Sequence, residues 1–355
     1  MLQWALFVTF VALARHAAAQ ICNGHAELCD RKYSNITFIG SHDSAFVGSS
    51  VADNQETSVA DQLAQGVRFL QAQTHLDNNT IKLCHTLCAL EDAGPLADYL
   101  STVKTFLDNN PNEVVTLLLT NPDGQSGTAF DAIFQNSGIK NYAFTPPSNL
   151  TIDGWPTLGQ MISSGQRFVV FMDFPAAPTE PYILNEFQSY IFTTDPNFAQ
   201  CAIDRPSGAS AAGRMILVNH FLDTNLSGIL IPNRDAANVT NSASSITAQA
   251  NLCTSLYQRN PNFILLDWIS IGDAMATEAK MNGVTFTPTA TPTASSTGGT
   301  SSNPTSSSAA TGTGVSTSTG AQSTTPESVS GLEVVGQSKS SSQLAAMIAL
   351  LVLVL

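Results

Sequence analysis

The chain has 355 residues, of which 43% are apolar and 12% charged, enough to bury a sizeable core. Asp and Glu outnumber Lys and Arg by 27 to 14, and the resulting charge of −13 excludes a nucleic-acid partner and argues against capture on an anionic bilayer by a basic surface. The six cysteines are an even number without CxxC or Cys/His metal spacing, which points to disulfides and away from a structural zinc.

Residues 1–19 read as a signal peptide: an apolar run from Trp4 to Ala14 is followed by Ala17-Ala18-Ala19 before Gln20, although a basic n-region is missing. The expected folded domain spans 20–284. Its first strand, Ile36 to Gly40, delivers His42 and Asp43 into a small-residue turn. A histidine there can take a proton in one step and return it in the next, provided a neighbour fixes its ring. Adjacent strand residues point to opposite faces, so a third group, not Asp43, is expected to orient His42.

Gly66 to His75 reads as a second strand, with Gln71, Gln73 and His75 on one face by period-two alternation, and Thr80 to His85 as a short third. Pro95 opens a helix whose apolar face carries Leu96, Tyr99, Leu100, Val103, Phe106 and Leu107, ended by Asn109-Asn110-Pro111. Val114 to Thr120 is a continuous apolar run, as in a strand covered on both faces. Further strands are expected at Arg167 to Asp173, Arg214 to His220 and Asn262 to Asp267, with helices near Thr157 to Ser164 and Ala243 to Arg259, while Ala176 to Ser210 receives no assignment. This alternation predicts parallel β structure, and without a nucleotide-binding glycine fingerprint it favours a single-domain TIM-type (β/α) barrel. In such barrels the reacting groups sit at the C-terminal strand ends. His42, His75, His85 and His220 all fall at or just past such an end, and Asp173 and Asp267 close strands.

Residues 285–342 are dominated by Ser, Thr, Gly, Ala and Pro, the composition of a disordered, O-glycosylated stalk. Residues 343–355 end in an apolar tail too short to span a bilayer, the layout of a removed GPI-attachment signal, with attachment expected between Ser328 and Gly336. Sequons at Asn35, Asn78, Asn149, Asn225 and Asn238 fit the same secretory route. Cys22 with Cys29 and Cys84 with Cys88 are close enough for local bridges, leaving Cys201 with Cys253 in one of several possible connectivities. The expected product is a secreted monomer, GPI-anchored at the cell surface or wall.

Gly40-Ser-His-Asp-Ser44, the segment Asp61 to Leu70 and Leu83-Cys-His-Thr86 resemble the secreted PLC-like phosphodiesterases, related to the X domain of phosphatidylinositol-specific phospholipase C. The Gln-Ala-Gln-Thr-His segment, the cysteines flanking the second histidine and the run Asn112 to Leu119 are most like the fungal, GPI-anchored members. The resemblance implies a barrel enzyme, without cofactor, acting on an inositol phospholipid or related phosphodiester. His42 would take the proton of the attacking hydroxyl and His85 would protonate the leaving oxygen, with Asp43 beside them. Asp267, or failing it Asp173, would hold His42, and Gln71, Gln73, His75, Asp173 and His220 would face the substrate. Bacterial members neutralise the phosphate with an arginine, and animal members with calcium. Here Gln73 stands at the arginine position and Gln71 at the acidic one, so His75 is the candidate replacement cation. Two alternatives remain at this level: a metal-assisted enzyme gathering an ion among His42, Asp43, His75, His85 or Asp267, and a surface glycoprotein whose barrel has lost turnover.

Overall fold

The computed structural model describes residues 20–147, 150–173, 180–185, 198–205, 208–226 and 229–288. All fall in the first of two compact units, Met1–Thr291; the second, Pro292–Leu355, lies outside the described residues. So do the expected signal peptide, attachment tail, nearly all of the stalk, the Asn149 sequon and much of Ala176 to Ser210.

Strands β1 (Phe38–Ser41), β2 (Phe69–Asp77), β5 (Val115–Thr120), β6 (Phe168–Met172), β7 (Ile183–Asn185), β8 (Leu217–Asn219) and β11 (Phe263–Leu266) are joined in the order β7-β6-β5-β2-β1-β11-β8. Every pairing on this path is parallel, so the sheet curls with all C-terminal strand ends on one rim. Among the described residues β7 and β8 do not pair, and the barrel stays open there. Beyond Gln73, β2 leaves β5 to form an antiparallel hairpin with β3 (Thr80–Cys84), which pairs with β4 (Asp92–Pro95). A separate hairpin, β9 (Asp223–Leu226) with β10 (Ile229–Pro232), rises after β8.

Helices α1 (Val59–Ala64), α2 (Leu96–Asn109), α3 (Gly127–Ser137), α4 (Leu158–Ser164), α5 (Ala237–Thr240), α6 (Ala243–Tyr257) and α7 (Ala274–Met281) alternate with these strands. The expected strands and helices are present with ends shifted by at most three residues, mostly inward, while β1 and β2 run one and two residues further at their C-terminal ends. Helix α2 follows Pro95 and buries Leu96, Tyr99, Leu100, Val103 and Leu107. Helix α4 starts in a capping box between Thr157 and Gln160 and ends at Gly165 in the left-handed conformation. Helices α1, α3, α5 and α7 were not anticipated. Of these, α3 shows the same punctuation, a Ser126 cap accepting from the Ala129 amide and a left-handed Gly138.

Period-two alternation divides the strands between two apolar clusters. Ile39, Leu70, Leu117, Val170, Val218 and Ile264 pack outward against the helices. Phe38, Phe69, Leu118, Phe171, Leu217 and Phe263 point inward with Tyr33 and Trp155, filling the foot of the barrel. The Phe263 ring lies 4.6 Å from Phe69 and 5.8 Å from Phe38. Gly40 is required here, because a Cβ at this position would meet the Phe69 carbonyl oxygen at 2.4 Å. The same parity carried up each strand brings His42, Gln71, Gln73, Asp267 and Phe221 inward above the aromatic layer.

Candidate active site

β1 hands over to His42, whose backbone N–H donates to the Leu266 carbonyl at 2.9 Å and so ties the ends of β1 and β11 together. Asp43 then takes a left-handed φ of 43°, which breaks strand alternation and turns its side chain back toward the histidine it follows. Thr86, after His85, and Trp268, after Asp267, adopt φ of 62° and 44°. His42, His85 and Asp267 are thus each followed by a left-handed residue, the kind of backbone cost found where a site is held in place.

His42 Nδ1 lies 2.8 Å from Asp267 Oδ1, which also accepts from Asn54 Nδ2 at 2.9 Å. The other ring nitrogen, Nε2, is 3.5 Å from Asp43 Oδ2. On the far side His85 Nε2 is 3.6 Å from the same oxygen. Both Nε2 atoms therefore converge on one carboxylate oxygen. Phe221 stacks flat on His42 at 3.7 Å and Phe46 lies against His85 at 5.2 Å, restricting both rings. The Cys84–Cys88 disulfide closes the turn that carries His85.

The glutamines frame the pair. Gln73 Nε2 donates to Asp43 Oδ2 at 2.7 Å while its Oε1 accepts from the Thr86 N–H at 3.0 Å, so one amide joins both histidine-bearing turns. Gln71 Oε1 accepts from the Asp43 N–H at 2.7 Å. Gln55, absent from the sequence expectation, donates to the His42 and Leu266 carbonyls at 2.7 and 3.1 Å and accepts from the Ile269 N–H. With Asn54 it clamps the junction of β1 and β11.

Burial opposes charge on His42, but the Asp43 and Asp267 carboxylates and the hydrogen bond to Asp267 outweigh it and raise its pKa to about 9. Burial raises the pKa of Asp43 despite the two imidazoles. Asp223, in β9, is raised by burial and then by Asp267. Buried Asp43 Oδ1, Asp267 Oδ2 and His85 Nδ1 have no hydrogen-bond partner among the described residues, leaving polar capacity unspent around the pair.

Other expected site residues lie elsewhere. His220 is fully buried and, one residue out of phase with Phe221, points outward: Nδ1 meets Gln249 Oε1 at 2.6 Å and Nε2 meets the Thr240 carbonyl at 2.9 Å. Burial lowers its pKa, and its place is in the helix layer, away from the barrel mouth. Asp173 accepts from the Asn121 N–H at 2.8 Å, joining the ends of β5 and β6. His75 has the parity of Gln73 but lies two residues further along β2, about 7 Å beyond it, where its Nδ1 is 3.3 Å from Asp123. Asn54 and Gln55 were missed because they lie outside the strands and carry no periodic signal, and Phe221 because it lies one residue past the expected strand, although it keeps that strand's inward parity. Among the described residues no group of three or more His, Cys, Asp and Glu is arranged to hold a metal ion.

The comparisons agree with this architecture. A protein of Arthroderma benhamiae named PI-PLC X domain-containing protein 1 is 49% identical over 293 residues, covering 79% of this chain and 96% of the relative. A second protein of that organism, named an uncharacterized secreted protein, is 44% identical over 287 residues, covering 75% of this chain and 64% of the relative. Among solved structures, a mutant of the phosphatidylinositol-specific phospholipase C from Staphylococcus aureus shares the fold, with a TM-score of 0.50 at 15% identity over 73% of this chain and 95% of that one. The PI-PLC X family model (PI-PLC X 1) matches residues 28–282, which takes in every strand and helix described above. The chain belongs to the PI-PLC X family.

Proposed function

We propose that this chain is an extracellular phosphoric diester hydrolase that cleaves an inositol phospholipid or a related phosphodiester by acid–base catalysis between His42 and His85. The observation that carries this reading is the pair of Nε2 atoms facing one Asp43 oxygen at 3.5 and 3.6 Å, with His42 Nδ1 anchored on Asp267. His42, when neutral, takes the proton of the attacking hydroxyl, and Asp267 stabilises the imidazolium so formed. His85 gives its proton to the leaving oxygen. Two imidazoles can exchange these roles without a metal. Among the described residues the polar groups around them are carboxylates and amides, so the positive charge near the phosphate is assigned to the imidazoles themselves.

Three bridges, Cys22–Cys29, Cys84–Cys88 and Cys201–Cys253, support an oxidising compartment. Exposed sequon asparagines at Asn35, Asn78, Asn225 and Asn238, together with the similarity to a protein named as secreted, favour export. On this reading residues 1–19 are removed, 285–342 form the stalk, and the tail at 343–355 is exchanged for a GPI anchor.

The test is phosphate-ester release from phosphatidylinositol and from a GPI-linked substrate, with and without chelator, beside His42→Ala and His85→Ala. Each substitution is expected to cost about 10²- to 10⁴-fold, and chelator nothing. Loss of wild-type activity in chelator would overturn the metal-free mechanism. A second reading, a surface glycoprotein without turnover, is favoured by Gln73, whose amide is committed at both ends to Asp43 and Thr86. Wild-type activity no higher than that of the histidine variants would select it.

A further inference from the structure

At the foot of the barrel, opposite the histidine pair, a groove of about 650 Å³ runs past Lys32, Asn35, Asp153, Leu256 and Tyr257. A second cavity of about 230 Å³ lies beside it, lined by Arg31, Thr37, Asn260 and Asn282. Ser34, Asn35, Gln258 and Arg259 line both, so Asn35 stands on their common wall. Asn35 closes a short 3₁₀ turn, Tyr33–Asn35, immediately before β1. Its side chain is exposed and its side-chain amide makes no hydrogen bond with the described residues, while its backbone N–H donates to the Lys32 carbonyl at 2.8 Å.

The groove mixes the two kinds of surface that a pyranose presents. Leu256 is 61% exposed, an aliphatic side chain left facing water beside Tyr257, and suits an apolar sugar face. The Arg31 guanidinium, the Asp153 carboxylate and the Gln258 amide offer donors and acceptors to hydroxyl edges.

We propose that Asn35 carries an N-linked glycan whose first sugars lie in this groove, over Leu256 and Tyr257, and pin the entry to β1 against the C-terminal end of α6. In the attachment step Asn35 Nδ2 displaces the diphosphate of a lipid-linked oligosaccharide at the anomeric carbon of its first sugar. The amide loses one proton and the lipid diphosphate leaves. Attachment precedes folding, because the sequon hydroxyl of Thr37 is 3% exposed in the folded chain and donates to the Pro261 carbonyl at 2.8 Å. The inference does not depend on the chemistry of the histidine pair.

Asn78 is the internal control. It lies in the turn between β2 and β3 with Asn79 and Thr80 also exposed, so a glycan there projects into water. The full chain, secreted from a eukaryotic host, is treated under native conditions with an amidase that releases N-glycans, and release at each asparagine is followed by peptide mass. Asn35 is expected to be occupied and to lose its glycan roughly tenfold more slowly than Asn78, equivalent to about 1.4 kcal/mol of local opening. Hydrogen exchange over 252–260 is expected to rise in Asn35→Gln and to stay unchanged in Asn78→Gln. A bare Asn35, or equal release rates at the two positions, would overturn the proposal. The release comparison uses only the wild-type protein, so it decides even where Asn35→Gln is not secreted.

Discussion

Asp43 Oδ2 is shared by His42, His85 and Gln73, and its burial means that no solvent dampens the coupling. With the His42 pKa raised to about 9, the free protein at pH 7 holds an imidazolium where the proposed mechanism needs a neutral base. The rising limb of a kcat/KM profile, which reports His42, is therefore expected to extend above pH 7, with the fall beyond it set by loss of the proton that His85 must donate; a profile already falling at pH 7 would contradict it. Stability runs the opposite way. Because His42 binds its proton more tightly when folded, its contribution is full below about pH 6.5, the unfolded value, and is lost as pH rises through about 9. The Tm advantage of wild type over His42→Asn should shrink across that window. Gln73 offers a second residue-scale test. It is only partly buried, so a longer side chain has room to extend toward the rim. Gln73→Arg would set a permanent cation beside Asp43, within reach of the phosphoryl oxygens. If the glutamine site is short of positive charge, kcat should increase by about 10- to 10²-fold, and a decrease would show that the amide bridge to Thr86 matters more.

At the scale of elements, the site depends on turns held from outside themselves. The turn after β3 carries His85 and is closed by a disulfide spanning only 4 residues, so little chain entropy is at stake. Cys84→Ser with Cys88→Ser should therefore lower Tm modestly while reducing kcat more than KM suffers, because His85 loses its fixed distance from Asp43. Equal kcat in the double variant would assign the bridge to stability alone. Much of this level could be read from the sequence. Apolar runs marked β5, β6 and β11, and alternation put Gln71 and Gln73 on one common face, which in the folded chain is the inward one. Parity also explains why His220 fails: it sits at a strand end, but one step out of phase with the inward residues. Asn54 and Gln55 were illegible for a different reason. They hold β1 and β11 by bonds made across more than two hundred residues, Asn54 to the Asp267 carboxylate and Gln55 to the Leu266 carbonyl, and nothing local in the chain announces such a contact. Helix α3 was hidden because its apolar face is short, with Phe130 and Phe134 as its principal anchors.

For the molecule as a whole, the edge strand β8 has no second parallel neighbour among the described residues, which leaves the sheet open between β7 and β8 there. The Cys201–Cys253 bridge, with a sequence separation of 52, ties the segment leading into β8 to α6. A loop of that length corresponds to about 4 kcal/mol of stability by chain entropy. Cys201→Ser with Cys253→Ser should lower Tm by several degrees and leave the rate per folded molecule unchanged, measured by calorimetry beside activity. A variant melting with wild type would show that packing alone closes this side. At the opposite pole from the histidines, Val284, Phe286 and Thr287 line a cavity with Asn23, Gly24 and Arg68, and the Asn282 side chain bonds to Thr37 just before β1. The chain thus leaves the barrel at its foot. The run into β1 and the run out of α7 therefore meet on the side away from the histidines, and the opposite rim is left to the turns that follow the strands.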